Sequence, residues 1–355
     1  MRGAWKGAAP REICIVMLSA IGDAVHVLPV ANALKRAWPD CRITWVIQPT
    51  AYQLVRNHIA IDEFIVFRRR RGIQSWRSFL EIMDEMRDRR FDLLLGLQVY
   101  FKAGLITALT PARVKLGFDR ARARDGQWLF TNERISPRGH RHVQDQYFEF
   151  LEHLGIDPQP ITWKLTLSEK ERAAQKDFFR SLDRRACTVV VATSKREKNW
   201  SVDGYVHVLD EVASRHGLIP IIVGGPSSEE RRIADEVQRR TRAEVLNLVA
   251  DDLRRLLWLI EGSALLIAPD TGPLHIGRAV RTPVVGLFGH TNPKRSGPYQ
   301  VDRDLVVDGY AEYPNEEYPI TPRYRNGMQR VSPDEVLAKV SSAVERYITE
   351  KSGDP

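Results

Sequence analysis

The chain has 355 residues, enough for two domains of ordinary size, and its hydrophobic fraction of 43% is that of a globular protein. No apolar run approaches the roughly 18 residues that span a bilayer, and no apolar signal segment precedes Arg11. The formal net charge of +8 favours an anionic partner, and three well-separated cysteines fit a reducing, cytoplasmic compartment without a disulfide framework or zinc site.

The first half of the chain alternates short apolar runs with amphipathic stretches, the pattern of an α/β fold. Strands are predicted at residues 12–18 and 42–47. Between them we expect a loop at Ser19–Asp23 and a helix whose apolar residues recur at helical spacing as far as Trp38. Three further short strands and a closing helix are predicted at residues 64–67, 93–97, 114–117 and 143–154.

The same pattern restarts after a proline-containing linker at residues 155–167. Five more strands are predicted, with crossover helices between them, at residues 188–192, 218–223, 245–248, 264–268 and 284–288. After a polar segment, Ser332 is expected to cap a last helix that reaches Tyr347. We therefore predict Rossmann-like domains over residues 1–165 and 166–331, followed by a C-terminal helix and tail over residues 332–355.

The first candidate site follows the first predicted strand, where Ser19–Asp23 brings a glycine turn and a carboxylate to the start of a helix. Ligands of open α/β sheets bind at the carboxyl ends of the strands, so Asp23 is placed to meet one. The alternative is that Asp23 only caps the helix, because Asp is a favoured N-cap residue. The GxGxxG fingerprint of dinucleotide sites is absent here.

The second candidate site, Thr193–Trp200, directly follows a β-branched strand. Its hydroxyls and its cations, Lys198 among them, are groups that hold phosphate oxygens. The alternative is a solvated loop that leads into a helix.

The third candidate site, Asp270–Gly277, runs from a strand through Asp-Thr-Gly into a helix with Pro273 in its first turn. The backbone N–H groups of such a turn, together with the helix dipole, favour an anion such as a diphosphate. A capped helix with a packed His275 is the alternative. The Asp-Thr-Gly of aspartic proteases is excluded, because those enzymes need two such aspartates and a largely β fold.

In this order the motifs resemble those of glycosyltransferase family 9, the heptosyltransferases of lipopolysaccharide core assembly. The resemblance covers residues 11–345. It is carried by Ser19–Asp23 with Leu28-Pro29, Thr193–Trp200, Gly224-Gly225-Pro226, Asp270–His275, and the late pattern of Met328, Val331, Pro333 and Val336.

The resemblance implies a GT-B fold, in which two Rossmann-like βαβ domains face each other across a cleft. It implies that the N-terminal domain binds the acceptor and the C-terminal domain binds the nucleotide sugar. The implied donor is like ADP-L-glycero-D-manno-heptose, and the implied acceptor is the Kdo and inner-core region of lipopolysaccharide. The protein is then expected at the inner face of the inner membrane, peripherally bound, with no cofactor and no nucleic acid as partner.

Residue by residue, Asp23 matches the family's general base, and Lys198 matches its diphosphate-binding, catalytic lysine. The remaining donor-binding candidates are Thr193, Ser194, Glu229, Asp270, Thr271, Gly272 and His275. The basic runs of the first half are expected to hold the anionic acceptor or the membrane around it, with Arg68, Arg71, Arg120, Arg122 and Arg124 as the candidates.

These residues suffice for a direct, inverting transfer. One carboxylate can take the proton of the attacking hydroxyl, and a lysine with a helix N-terminus can stabilise the leaving diphosphate. No Asp-x-Asp motif is placed to hold a metal, so we expect a metal-independent enzyme. Two alternatives remain: the same fold with another nucleotide sugar or acceptor, and a non-catalytic polyanion-binding protein.

Overall fold

The computed structural model describes residue 5, residues 7–70, residue 72, residues 75–250 and residues 252–349. The described residues form two compact units that divide between Thr166 and Leu167, and residues 140–142 group with the second unit. Within the described ranges, no helix is both long enough and apolar enough to cross a membrane.

The first unit is built around a six-stranded sheet whose pairings are all parallel. Its elements, in chain order, are β1 (Glu12–Val16), α1 (Ile21–Ala37), β2 (Arg42–Ile47), α2 (Pro49–Val55), β3 (Glu63–Val66), α3 (Ser75–Met86), β4 (Phe91–Gly96), α4 (Phe101–Leu109), β5 (Ala112–Gly117), β6 (Glu133–Arg134) and α5 (Val143–Leu154). Helix α1 packs against α2 and α5, whereas α3 packs against α4.

The second unit repeats this plan with another six-stranded parallel sheet. Its elements are α6 (Glu169–Arg180), β7 (Ala186–Val190), α7 (Val202–His216), β8 (Ile219–Val223), α8 (Ser228–Arg240), β9 (Leu246–Asn247), α9 (Leu253–Gly262), β10 (Leu265–Pro269), α10 (Gly272–Val280), β11 (Val284–Phe288), α11 (Pro293–Ser296), β12 (Val306–Asp308) and α12 (Pro333–Val344).

The two sheets have equivalent strand orders, β3-β2-β1-β4-β5-β6 and β9-β8-β7-β10-β11-β12. Each order is that of a doubly wound Rossmann sheet, in which the direction of winding reverses between the first and the fourth strand. Ligands of such sheets bind at the carboxyl ends of the strands at this switch point. Ligand sites are therefore expected where β1 adjoins β4 and where β7 adjoins β10.

The strands form where apolar runs are continuous, because a parallel sheet covered on both faces buries every side chain. All five residues of β8, β10 and β11 are buried. The strand predicted at residues 12–18 ends earlier, at Val16, although Met17 and Leu18 are buried. Helix α1 begins at Ile21, so the predicted loop is wrong in its last residues: Gly22 and Asp23 are helical.

The segment between the units packs on the first of them. Asn32 Nδ2 donates to the Thr162 carbonyl at 2.8 Å, and His58 Nε2 lies 2.8 Å from the Trp163 carbonyl oxygen. At the end of the chain, Ser332 occupies the N-cap of α12 as predicted, without a side-chain capping bond, and a π-helical turn, Glu345–Thr349, follows the helix.

Candidate functional site

The first switch point is held together by Gln98, two residues after β4. Its Oε1 accepts a hydrogen bond from the Leu18 N–H at 3.0 Å, and its Nε2 donates to the Ser19 carbonyl at 2.7 Å. The loop that leads from β1 into α1 is thus fixed from the neighbouring strand. Gln98 was not predicted, because nothing in the spacing around Ser19 points to a partner 79 residues away.

Asp23 lies in the first turn of α1 with its carboxylate held on both oxygens. Ala20 is the N-cap and Asp23 is the third helical residue. The alternative is therefore wrong about the position but right about the capping role, because the Asp23 carboxylate accepts from the N–H of the N-cap residue. Its Oδ2 accepts from the Ala20 N–H at 3.1 Å, and its Oδ1 accepts from the hydroxyl of Tyr147, on α5, at 3.3 Å. A partly exposed, oriented carboxylate at the end of β1 can accept a proton from a ligand hydroxyl.

The predicted Arg68 and its neighbour Arg69 flank a cavity at the same edge of the first sheet. Arg68 and Arg69 follow β3, are exposed, and line a cavity of about 330 Å³ with Gln48, Pro49 and Thr50. Cationic side chains around a polar cavity are suited to an anionic ligand. Arg71, predicted for the same role, lies outside the described residues.

Arg122 was predicted to bind the acceptor, and the structure corrects that prediction. Its side chain is 4% exposed, and it pairs with Asp119 at 2.5 Å and Glu149 at 2.6 Å, both equally buried. Burial alone would lower the pKa of Arg122, but the two carboxylates outweigh it and hold the pKa above its ordinary value. A guanidinium that is this deeply buried between two carboxylates is not accessible to a ligand.

The two neighbouring arginines do lie at the surface. Arg120 stacks over the ring of Trp128, with 4.4 Å from its guanidinium carbon to the ring centroid. The Arg124 guanidinium lies 6.0 Å from the Tyr100 ring. Both are exposed, so they stay candidates for contact with an anionic acceptor.

The second switch point joins the two predicted donor motifs directly. Lys198, in the loop after β7, donates from Nζ to the carboxylate Oδ2 and to the backbone carbonyl of Asp270, just after β10, at 2.8 Å each. The lysine side chain is 17% exposed and the aspartate side chain 9%. The sequence placed both residues at strand ends; the structure shows that they are partners.

Asp270 is the centre of a buried polar cluster. Its Oδ2 also accepts from Thr291 Oγ1 at 2.6 Å and from Ser296 Oγ at 3.2 Å, and its Oδ1 lies 3.7 Å from His275 Nε2. Burial alone would raise the pKa of Asp270, but His275 and Lys198 outweigh it and hold the pKa far below its usual range. The carboxylate is therefore charged and organises its neighbours.

Thr291 and Ser296 were missed by the sequence analysis. Both come from the segment after β11, which carries no phosphate or catalytic motif, and they reach Asp270 only because β10 and β11 are adjacent. Hydroxyls that donate to a carboxylate fix its rotamer. These two residues therefore position Asp270 and, through it, Lys198.

Helix α10 starts directly beside this cluster. Thr271 is the N-cap, Gly272 and Pro273 follow as the first two helical residues, and His275 projects from the first turn with 8% exposure. The Thr271 hydroxyl donates to the Pro269 carbonyl at 3.2 Å and does not cap the helix. A helix N-terminus next to a lysine ammonium is an arrangement that binds diphosphate oxygens.

Thr193 and Ser194 differ in exposure and in hydrogen bonding. Thr193 is buried, and its hydroxyl donates to the Lys195 carbonyl at 2.6 Å and accepts from the Lys195 N–H at 3.1 Å. Thr193 thus shapes the loop that carries Lys198. Ser194 is exposed at the tip of that loop.

Glu229, in the first turn of α8, faces the same loop. Its carboxylate lies 3.5 Å from the Arg196 guanidinium and 3.2 Å from that of Arg232. The hydrogen bond from Arg232 is the main reason that the pKa of Glu229 is lowered. A charged carboxylate after β8 is suited to accept from ligand hydroxyls.

A stacked aromatic pair, half-buried His290 and exposed Tyr324, lies at this edge as well and was predicted by no motif. His290, which follows β11, stacks on Tyr324 with ring centroids 4.7 Å apart and planes 5° from parallel. The Lys195 ammonium lies 5.4 Å from the Tyr324 ring. A larger cavity, about 620 Å³, lies at the opposite edge of this sheet, at the amino ends of β7 and β10, and holds none of the predicted residues.

Comparison with known protein sequences gives consistent matches. The profile of glycosyltransferase family 9 (heptosyltransferase) matches residues 79–321. The lipopolysaccharide core heptosyltransferase OpsX of Haemophilus influenzae is 31% identical over 311 residues, which cover 87% of this chain and 88% of that protein.

Solved structures show the same fold. A glycosyl transferase family 9 protein from Veillonella parvula superimposes with a TM-score of 0.78 at 22% identity, over 97% of this chain and 99% of that one. The E. coli heptosyltransferase WaaC with ADP superimposes with a TM-score of 0.73 at 20% identity, over 94% and 99% of the two chains. The predicted GT-B fold is confirmed.

Proposed function

Because the chain belongs to glycosyltransferase family 9 and is a glycosyltransferase, we propose that it transfers L-glycero-D-manno-heptose from ADP-heptose to the Kdo and inner-core region of lipopolysaccharide. Two relatives support this choice of substrates: one is named as a core heptosyltransferase, and another was solved with ADP. The observation that carries the proposal is the Lys198–Asp270 pair at the second switch point, next to the start of α10.

The donor diphosphate binds at this pair. Lys198 supplies a positive charge and α10 supplies its N-terminal dipole, with Thr271 and Gly272 at the turn. Glu229 and Ser194, on the two neighbouring loops, contact the rest of the donor. Residues 166–331 are on this account the donor-binding domain, with residues 332–355 as an appended helix and tail.

The acceptor binds to residues 1–165, with Arg68, Arg120 and Arg124 among its contacts. Asp23 takes the proton of the acceptor hydroxyl as that oxygen bonds to the anomeric carbon. The bond from the anomeric carbon to the β-phosphate oxygen breaks, and its electron pair leaves with ADP. Attack opposite the leaving group inverts the configuration in a single step.

Lys198 and the helix N-terminus stabilise the charge that develops on the β-phosphate, so the step needs no metal. Asp270, the acidic residue nearest to this position, is charged and already bonded to Lys198, Thr291 and Ser296. Its role is to orient the lysine. Among the described residues, no group of three or more His, Cys, Asp and Glu side chains could hold a metal ion.

The enzyme acts in the cytoplasm, peripherally bound to the inner face of the inner membrane, where a glycolipid acceptor is accessible. The basic character of the chain supports this placement, since cytoplasmic leaflets are anionic.

A donor panel tests the proposal. The full chain is incubated with ADP-heptose, ADP-glucose, UDP-GlcNAc or GDP-mannose, with and without a soluble inner-core acceptor, and release of nucleotide diphosphate is measured. We expect acceptor-dependent release from ADP-heptose. Release from a different donor would change the proposed sugar and leave the proposed mechanism standing. No release from any donor would contradict the proposed activity.

A further inference from the structure

Helix α3 presents a row of apolar side chains to solvent. Trp76 is 52% exposed, Leu80 45% and Met83 42%. Their spacing of four and three residues places them on one face of the helix. The inner face of the same helix already has its partners, since Ile82 and Met86 are buried in the core of the first unit. About half of each side chain in the exposed row is therefore left without a packing partner in this unit.

The surroundings of this row are strongly basic. Residues 68–90 contain eight arginines and four acidic residues. The acids of α3 are paired with arginines outside the helix, as Glu81 is with Arg70 at 2.6 Å and Glu85 with Arg89 at 2.7 Å. Each pair cancels one arginine, so the segment keeps a surplus of four arginines, eight minus four. The guanidinium of Arg77 lies 5.7 Å from the Trp76 ring, so a cation is directly beside the apolar row.

We infer that this face of α3, defined by Trp76, Leu80 and Met83 with Arg77 beside it, docks on an anionic lipid bilayer. The apolar row enters the boundary between head groups and acyl chains, and the arginines bind lipid phosphates, as in amphipathic helices that lie in a membrane interface. The inference extends the proposed membrane association by naming the surface that makes it.

The charge also argues against a second copy of the chain as the occupant. Two such faces in contact would bring together two segments that each carry four more arginines than acidic residues, and like charges in contact are unfavourable. An anionic bilayer complements both the charge and the apolar row.

The test is co-sedimentation of the full chain with vesicles. Wild type should bind vesicles of phosphatidylethanolamine with phosphatidylglycerol and bind pure phosphatidylcholine far more weakly. Leu80→Ser with Met83→Ser should reduce the partition coefficient by about tenfold or more, because roughly half of each side chain is left to be buried. Arg77→Ser should reduce it by about fivefold, only for anionic vesicles.

Val301→Ser is the matched control, since Val301 is an equally exposed apolar residue, 41%, in the second unit. It should bind like wild type. The α3 variants should still unfold cooperatively above the assay temperature and keep wild-type transfer to a soluble acceptor, which separates this inference from the proposed activity. Equal vesicle binding by wild type and the Leu80/Met83 variant would overturn the inference. So would a wild-type dimer that this variant converts to a monomer without a change in vesicle binding.

Discussion

The most informative stability test is Asp270→Asn, because it changes one charge and little shape. Asn can still accept from Thr291 and Ser296, but the Lys198 ammonium loses its ionic partner while 17% exposed. Removing one member of a buried pair typically costs about 3–5 kcal/mol, and the partial exposure of Lys198 places the expected loss near 3 kcal/mol.

The assay is urea unfolding of wild type, Asp270→Asn, Lys198→Met and the double variant. The two losses should not add: the double variant should recover at least about 1 kcal/mol of their sum, since neither charge is then left alone. Because the pKa of Asp270 is lowered in the folded state, its contribution is present above the unfolded value of about 3.9 and lost as the pH falls below it. Strict additivity, or an Asp270→Asn variant as stable as wild type, would refute the ion pair.

Three further predictions concern ligands. Lys198→Ala should weaken ADP binding by about tenfold or more in calorimetry, as expected for a lost charge-assisted contact; unchanged affinity would make Lys198 a surface lysine. Replacing Arg68 and Arg69 by Ser should raise the KM for the acceptor and reduce the salt sensitivity of that KM, without changing the KM for the donor. An unchanged acceptor KM would show that neither arginine contacts the acceptor. Tyr147→Phe removes a hydrogen bond to the Asp23 carboxylate, so the acidic limb of the kcat/KM profile should move to higher pH; an unmoved limb would exclude this contact from the mechanism.

Local sequence patterns were sufficient to predict most of the helices and strands. Helix α5 and strands β2 and β11 have the predicted bounds, because a continuous apolar run or a helical period is visible in the sequence itself. Most errors lie at the ends of elements, as at Val16 and Ile21, but the short edge strands β6 and β12 were not predicted. After Val16 the side chains stay buried although the strand has stopped, so hydrophobicity alone does not mark the boundary.

The site was harder to predict, because its partners come from distant parts of the chain. Asp23 and Tyr147 are 124 residues apart, and Thr291 reaches Asp270 from the next strand. Sequence also does not show which cations are already paired. Arg122 belongs to the same basic run as Arg120 and Arg124, yet only Arg122 is buried and paired with two carboxylates.

The central claim, that Asp23 is the base of a direct transfer, is tested most directly by the kcat of Asp23→Asn with ADP-heptose and an inner-core acceptor. Asn keeps an acceptor for the Ala20 N–H, so the melting temperature and the ADP affinity should match those of wild type. Loss of the proton acceptor should reduce kcat by about 10²–10⁴-fold. A kcat within about threefold of wild type would contradict the account, because a general base contributes far more than that.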